Sequence, residues 1–298
     1  MPVLPIFLYA AVAFFVAAVA LRARKYARGR AHLRWELYPV AHERGRAQYG
    51  GSHFEVPDHW TRQRALDRRG EARAMAAEIV LLAGVRRHNR SLWRFSLPYH
   101  LGVYLVSLWL GLVVAGGLFW PAGDLPRPLS LAVDATGFGG FGLGLVGGAG
   151  LLWRRLRDVS LRPYNAPADL ANLGAWLTAM GWSLGVHAAE GGFASLVAFG
   201  GDWLRLRAVA PAWPIAVEVV LGALLLAYLP LSRMFHFVAK YFLYHDVRWD
   251  DAPNPPGGDL ERRLVRAMDF GLAWSAPHAA GAGTWREAAR SHTDGESS

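Results

Sequence analysis

Three of the eleven histidines in this chain lie within or at the ends of long apolar runs, namely His100, His187 and His236. His100 lies six residues after Arg94, and His236 lies three residues after Arg233, so each of the two is close to a basic boundary of its run. Two neutral imidazoles from separate helices at one depth can bind both axial positions of a haem iron. His100 and His236 are therefore candidates for the metal ligands of a haem. The alternative is a pair of unrelated interfacial histidines.

Other side chains near these histidines suit the same cofactor. Guanidinium groups pair well with carboxylates, so Arg90, Arg94 and Arg233 are expected to bind the propionates of a haem. The chain contains no cysteine, which excludes iron–sulfur clusters, disulfides and covalently attached c-type haem on this chain, because all three need thiols. Any redox cofactor on this chain must therefore be held by other side chains.

An acidic residue inside the last apolar run suggests a second kind of chemistry. Glu218 is expected about one turn inside the outer end of that run, where a carboxyl group is costly and often marks a proton or ligand pathway. Together with His187, and with Asp134 as a further member, Glu218 can form a catalytic site that takes protons from an oxidised quinol. The alternative is a protonated or water-exposed glutamate near the interface.

The elements that must position these residues are long uncharged segments. Each is close to the ~20 residues that cross a bilayer as a helix, and none shows the polar stripe of a helix in a water-soluble protein. The first lacks the basic region and cleavage pattern of a signal peptide, so we expect it to be retained. The runs predict an all-α membrane protein with a bundle of five transmembrane helices, at residues 3–21, 97–123, 135–153, 170–189 and 208–232, the last interrupted only by Glu218.

The basic residues predict the orientation of these helices. Lysine and arginine accumulate in cytoplasmic loops. Segments 22–97, 154–162 and 233–298 carry 29 of the 32 basic residues, and the alternate loops carry 3. The amino terminus is therefore expected outside and the carboxyl terminus inside, in the cytoplasmic (inner) membrane. The net charge of +9 then needs no nucleic-acid partner to explain it.

The segments outside the spans divide the chain into four parts. A first helix over residues 1–24 is followed by a cytoplasmic loop over 25–94, a haem-binding bundle over 95–245 and a cytoplasmic tail over 246–298. Within the loop, residues 61–87 favour an amphipathic helix that lies on the membrane or docks a partner. The tail is expected to be partly disordered because its end is polar and small. The glycine-rich third run predicts close helix packing, or close approach of a flat ring.

Four motifs in chain order resemble a known family. They are LPYHLG at 97–102, a glycine-rich run ending LLWRR at 144–155, Asp169-Leu170, and LPLSRMFH at 229–236. Together with the amino-terminal span, they resemble the gamma subunit of respiratory nitrate reductase and its wider family of membrane b-type cytochromes. RWELYPV at 34–40 and HDVRWDD at 245–251 look more like the branch found with heterodisulfide-reductase-like iron–sulfur subunits, including those of sulfate reducers.

The resemblance implies a fold, a cofactor and partners, with one departure. Two-haem members of the family carry a second histidine where this chain has Leu110, and their matching ligand falls on Glu218. The resemblance therefore implies one haem b near the cytoplasmic face, held by His100 and His236, and the family's outer quinol site does not carry over. It implies electron transfer between a quinone and cytoplasmic iron–sulfur or reductase subunits in a hetero-oligomeric complex. The terminal catalytic site would lie on a partner chain.

Two other classes of function remain open from the sequence. A haem-free membrane anchor or scaffold would use the long loop to recruit cytoplasmic proteins. A small transporter is less well supported, because only Glu218 and Asp134 offer charges for an intramembrane path.

Overall fold

The computed structural model describes residues 3–28, 40–43, 52–63, 65–207, 210–249, 255–274 and 281–293. The described residues are helical and include no β-strand, only isolated bridges such as Glu43 with Leu66. The all-helical fold is as predicted. The α-helices are α1 (Val3–Ala27), α2 (Arg68–Val80), α3 (Ala83–His88), α4 (Arg90–Phe119), α5 (Arg127–Arg157), α6 (Pro167–Glu190), α7 (Ser195–Leu204), α8 (Trp213–Tyr228), α9 (His236–Phe242), α10 (Asp259–Met268) and α11 (Trp285–Thr293).

Four helical segments among the described residues are long and apolar enough to cross a membrane: Val3–Ala27, Arg90–Phe119, Arg127–Arg157 and Trp213–Leu231. The expected fourth span corresponds to α6, a helix of 24 residues that does not belong to this set. Asn172, Ser183 and His187 lower the hydropathy of α6. The structure therefore shows four candidate spans, and a fifth crossing by α6 stays a prediction.

Prolines and one asparagine set where the long helices begin. α5, α6 and α8 each have a proline in the first two positions, where a backbone N–H would have no helical partner to lose. α4 begins after Asn89, whose side chain accepts a hydrogen bond from the backbone N–H of Leu92 at 3.0 Å. These local signals start the helices at the edges of the apolar runs.

The described contacts divide the chain into two compact units, residues 1–20 with 75–235 and residues 21–74 with 236–298. In the first unit, α4 and α5 pack so closely that a Cβ atom on Gly147 would lie 2.3 Å from the backbone nitrogen of Tyr99. A Cβ atom on Gly102 would lie equally close to the backbone nitrogen of Gly144. Gly144 and Gly147 of α5 thus serve close helix packing, one of the two expected roles of its glycines.

An aromatic core fills the end of the first unit that carries α7. Phe193 is fully buried, stacks on Phe141 with ring centroids 5.5 Å apart and meets the edge of Trp109. Phe193 can reach the core because α6 ends three residues before it, at Glu190. Gly191 ends that helix with φ +82, and its N–H donates to the carbonyl of His187.

The end of α8 differs from the expected last span, which continues to residue 232. α8 ends at Tyr228 and gives way to a short 3₁₀ turn over Leu229–Leu231. Pro230 has no N–H and its ring crowds the preceding turn, so it ends the regular helix. Ser232 then adopts an extended backbone, and His236 begins α9.

The loop and tail also depart from the expected boundaries. Instead of one helix over 61–87, α2 begins at Arg68, and Leu82 separates it from α3 because its φ of +49 breaks the helical path. The tail contains α10 and α11, so part of its polar end is helical. Residues 34–39 of one family-like motif, 250–251 of the other and 294–298 of the tail lie outside the described residues.

Candidate functional site

A buried imidazole and a carboxyl group meet between α6 and α8. His187 Nε2 lies 2.8 Å from Glu218 Oε2, and the Ser183 hydroxyl donates to Glu218 Oε1 at 2.5 Å. Ser183 precedes His187 by one helical turn, so both side chains leave the same face of α6. The side chain of His187 is 0% exposed and that of Glu218 is 11% exposed. These three residues are called the His187–Glu218 cluster below.

The hydrogen bonds of this cluster determine how many protons it holds. The other ring nitrogen of His187, Nδ1, lies 3.0 Å from the backbone carbonyl of Gly192. A carbonyl only accepts, so Nδ1 carries a proton and donates it. The contact between Nε2 and Glu218 then requires one more proton, carried by either partner. In both arrangements the pair is net neutral, which suits a buried and apolar setting.

Asp134 is linked to the cluster by a hydrogen bond from a backbone N–H. Its Oδ1 accepts a hydrogen bond at 2.7 Å from the N–H of Phe193, the residue that follows Gly192. Another acid, Glu190, lies with Oε2 3.8 Å from Nδ1 of His187, and its side chain is 35% exposed. The sequence singled out His187, Glu218 and Asp134 but missed Ser183, the Gly192 carbonyl and Glu190. Of these three groups, Ser183 is the one that the sequence could have indicated, because it lies four residues before His187.

His100 lies on α4 with its ring held in one orientation. Its Nδ1 donates to the carbonyl of Ser96 at 2.7 Å, and the Ser96 hydroxyl lies 3.3 Å from the same nitrogen. The rings of Tyr99 and Tyr104 meet the imidazole edge-on, with centroids 5.7 and 6.4 Å away. With the proton on Nδ1, Nε2 carries the lone pair that a metal needs.

The second expected ligand, His236, belongs to the other compact unit. It is the exposed first residue of α9. No group of three or more histidine or acidic side chains that could hold a metal ion occurs in the described part of the chain. A haem iron needs only two axial protein ligands, so the pairing of His100 with His236 stays a prediction.

The arginines expected near a haem have different surroundings. Arg233 Nη1 lies 3.1 Å from Oδ2 of Asp169, which Arg155 also approaches at 3.7 Å. Asp169 is largely buried, with an 11% exposed side chain, so a propionate would compete with it for Arg233. Arg90 and Arg94 lie in the first two turns of α4, and both are exposed.

Comparisons with known proteins do not show which family this chain belongs to. No protein-family model and no curated protein matches the chain. The family suggested by the motifs stays a prediction.

Proposed function

We propose that this chain is a membrane subunit that binds haem b and passes electrons between the quinone pool and an iron–sulfur or reductase partner on the cytoplasmic side. The observation that carries the proposal is the orientation of His100. A histidine that ligates a metal through one ring nitrogen commonly donates the other N–H to a backbone carbonyl or carboxylate, which sets the tautomer and the angle of the ring. The hydrogen bond from His100 to the carbonyl of Ser96 is of this kind.

The donor set fits a b-type haem. His100 would supply one axial imidazole through Nε2, and His236 would supply the other. Haem contributes one-electron redox chemistry within the membrane, which the side chains of this chain do not offer by themselves. The glycines of α5 that face α4 are used for helix contact, so the proposal rests on the histidines and not on a glycine-lined space.

The His187–Glu218 cluster would handle the protons of the quinone. Oxidation of a quinol to a quinone releases two electrons and two protons, so a base near the substrate speeds the reaction. The cluster already holds one proton between His187 and Glu218, so accepting another without passing one on would leave a net positive charge in a buried setting. It therefore suits a relay, and running the relay in reverse would serve quinone reduction. Glu218, with its 11% exposed side chain, is the member that a proton donor can reach.

The distribution of basic residues supports the orientation of this proposal. With 29 of the 32 lysines and arginines assigned to the inner loops, the cluster would lie toward the outer face and His100 toward the cytoplasm. The chain would belong to a hetero-oligomeric complex in the cytoplasmic membrane, with α6 as a fifth span and the final substrate bound by a partner.

Haem content tests the proposal directly. The chain is purified in detergent, its reduced-minus-oxidised spectrum is recorded, and haem per polypeptide is measured as the pyridine haemochrome. We expect about one b-type haem per chain, and near none after His100→Ala or His236→Ala, because each substitution removes an axial ligand. The matched control is His245→Ala, since His245 is a helical histidine whose Nε2 lies 2.9 Å from Glu71, and this variant should keep its haem.

Other results would contradict the proposal in recognisable ways. Unchanged haem in His236→Ala would show that the ligand assignment is wrong. About two haems per chain would require another ligand pair. No haem in a well-folded sample would favour the haem-free scaffold.

A further inference from the structure

One peptide group lies between Asp134 and His187. Asp134 Oδ1 accepts from the N–H of Phe193 at 2.7 Å, and the carbonyl of Gly192 accepts from Nδ1 of His187 at 3.0 Å. This N–H and this carbonyl belong to the same peptide bond. A trans peptide is planar, and its N–H and C=O point in opposite directions. Holding the N–H on one side therefore orients the carbonyl on the other.

The turn that carries this peptide requires glycine at two positions. Gly191 has φ +82, a left-handed conformation that a residue with a side chain adopts at a cost. Gly192 has φ +156, also rare for a residue with a side chain, and a Cβ atom there would lie 2.8 Å from Asp134 Oδ1, so a larger residue would push the carboxylate away. Phe193, fully buried in the aromatic core, anchors the far side of the turn. Both ends of the peptide are thus held in place.

We propose that Asp134 is a positioning residue that acts on His187 through the Gly192–Phe193 peptide, keeping a ring proton on Nδ1 and Nε2 directed toward Glu218. A hydrogen bond to an ionised acceptor is about twice as strong as one between neutral groups, and it polarises the peptide that donates it. The carbonyl of Gly192 becomes a better acceptor for Nδ1 as a result. The sequence suggested Asp134 as a proton-site member, and this contact gives it an indirect role instead.

The other acids around His187 do not replace this contact. Glu218 approaches the opposite nitrogen, Nε2, from α8. Glu190, on the same helix as His187, lies 3.8 Å from Nδ1, beyond hydrogen-bond distance and farther than the carbonyl of Gly192. Asp134 approaches from α5, and the Gly192–Phe193 peptide lies between its carboxylate and His187.

Nitrogen NMR of the imidazole rings tests the inference, because ¹⁵N shifts distinguish the two neutral tautomers. The full chain, with ¹⁵N-labelled histidine, is placed in lipid nanodiscs, and the His187 signals are assigned by their absence in His187→Gln. We expect the Nδ1-protonated tautomer in the unaltered chain. Asp134→Leu removes the acceptor that orients this peptide, so the Gly192 carbonyl can turn away from Nδ1. Loss of that hydrogen bond to His187 should shift the ratio of tautomers roughly fivefold toward Nε2 protonation. Asp134→Asn keeps an acceptor oxygen without the charge and should shift it about twofold.

Asp124 provides the matched control, since it is an exposed acid that precedes α5. Asp124→Leu should leave the tautomer ratio unchanged. Should Asp134→Leu fail to fold, Asp134→Asn decides the question by the same ratio. An unchanged ratio in the folded Asp134 variants would overturn the inference.

The functional importance of this positioning role rests on the proposed proton role of the cluster, but the positioning role itself does not. The tautomer measurement needs neither haem nor quinone. A chain without quinol-dependent haem reduction would refute the proposed function and leave the positioning role of Asp134 standing. If the unaltered chain shows quinol-dependent haem reduction but Asp134→Leu leaves the tautomer ratio unchanged, the proposed function stands and the positioning role of Asp134 is refuted.

Discussion

Replacing Glu218 by Gln and by Leu separates the structural role of the His187–Glu218 cluster from its proposed proton role. Gln keeps both hydrogen bonds, because its amide oxygen can accept from Ser183 and its amide N–H can donate to Nε2 of His187. It removes only the group that exchanges a proton. We therefore expect Glu218→Gln to change the free energy of unfolding by about 0.5 kcal/mol or less. Quinol-dependent haem reduction should fall about 10²- to 10⁴-fold, the usual contribution of a general acid–base.

Leu removes the hydrogen bonds as well. His187, with a 0% exposed side chain, then has no hydrogen-bond partner for Nε2, and the hydroxyl of the buried Ser183 loses its acceptor. Each buried polar group left without a partner costs about 1 to 3 kcal/mol, so Glu218→Leu should lower the free energy of unfolding by about 2 to 6 kcal/mol. Reduction by quinol should be lost to the same extent as in Glu218→Gln.

Two assays on the same preparations distinguish these effects. Unfolding in mixed detergent gives the relative stability of each variant, and stopped-flow spectroscopy gives the rate of haem reduction by a quinol. Glu190→Gln is the matched control, because Glu190 lies 3.8 Å from His187 with a 35% exposed side chain and should change neither value strongly. A normal reduction rate in Glu218→Gln would refute the proton role. Equal stability of the Leu and Gln variants would refute the hydrogen-bond geometry.

Two further predictions concern packing and charge within the first unit, and thermal denaturation in one detergent measures both. Gly147→Ala should destabilise the protein by about 1 to 3 kcal/mol, because its Cβ atom would collide with the backbone of α4. Gly142→Ala, with nothing within 4 Å of its Cβ position, should be neutral or stabilising by up to about 1 kcal/mol. Equal losses of stability in the two glycine variants would contradict the close contact between α4 and α5. Asp169→Ala should cost about 1 to 3 kcal/mol, because its buried carboxylate has two arginine partners. Arg233→Ala should cost about 1 kcal/mol or less, because that side chain is 78% exposed; the reverse order would refute the argument.

Much of the secondary structure was readable from the sequence because membrane helices leave a one-dimensional pattern. The uncharged runs near residues 3–21, 97–123 and 135–153 coincide with three candidate spans, and the last run contains the fourth. Prolines mark several helix ends for local steric reasons. Pro230 likewise ends α8, although the expected last span continues past it. The uncharged run over 170–189 also predicts a span, but its polar residues lower the hydropathy of α6, which is not among the candidate spans.

The cluster depended on information that no single segment contains. His187 and Glu218 are 31 positions apart, and Asp134 and Phe193 are 59 apart. Sequence placed His187 and Glu218 near one end of their helices, but whether they meet depends on how α6 and α8 are rotated about their axes. A rotation of a third of a turn would face either side chain elsewhere.

The sequence by itself determined the helical class, the positions of the apolar segments and the residue types available for chemistry, because hydropathy and steric limits act locally along the chain. The tertiary structure decided which glycines face a neighbouring helix and which arginines are engaged by Asp169. It also decided that Asp134 reaches His187 only through a peptide bond. These features depend on the packing of helices distant in sequence, where a shift of one or two ångströms decides whether a hydrogen bond exists.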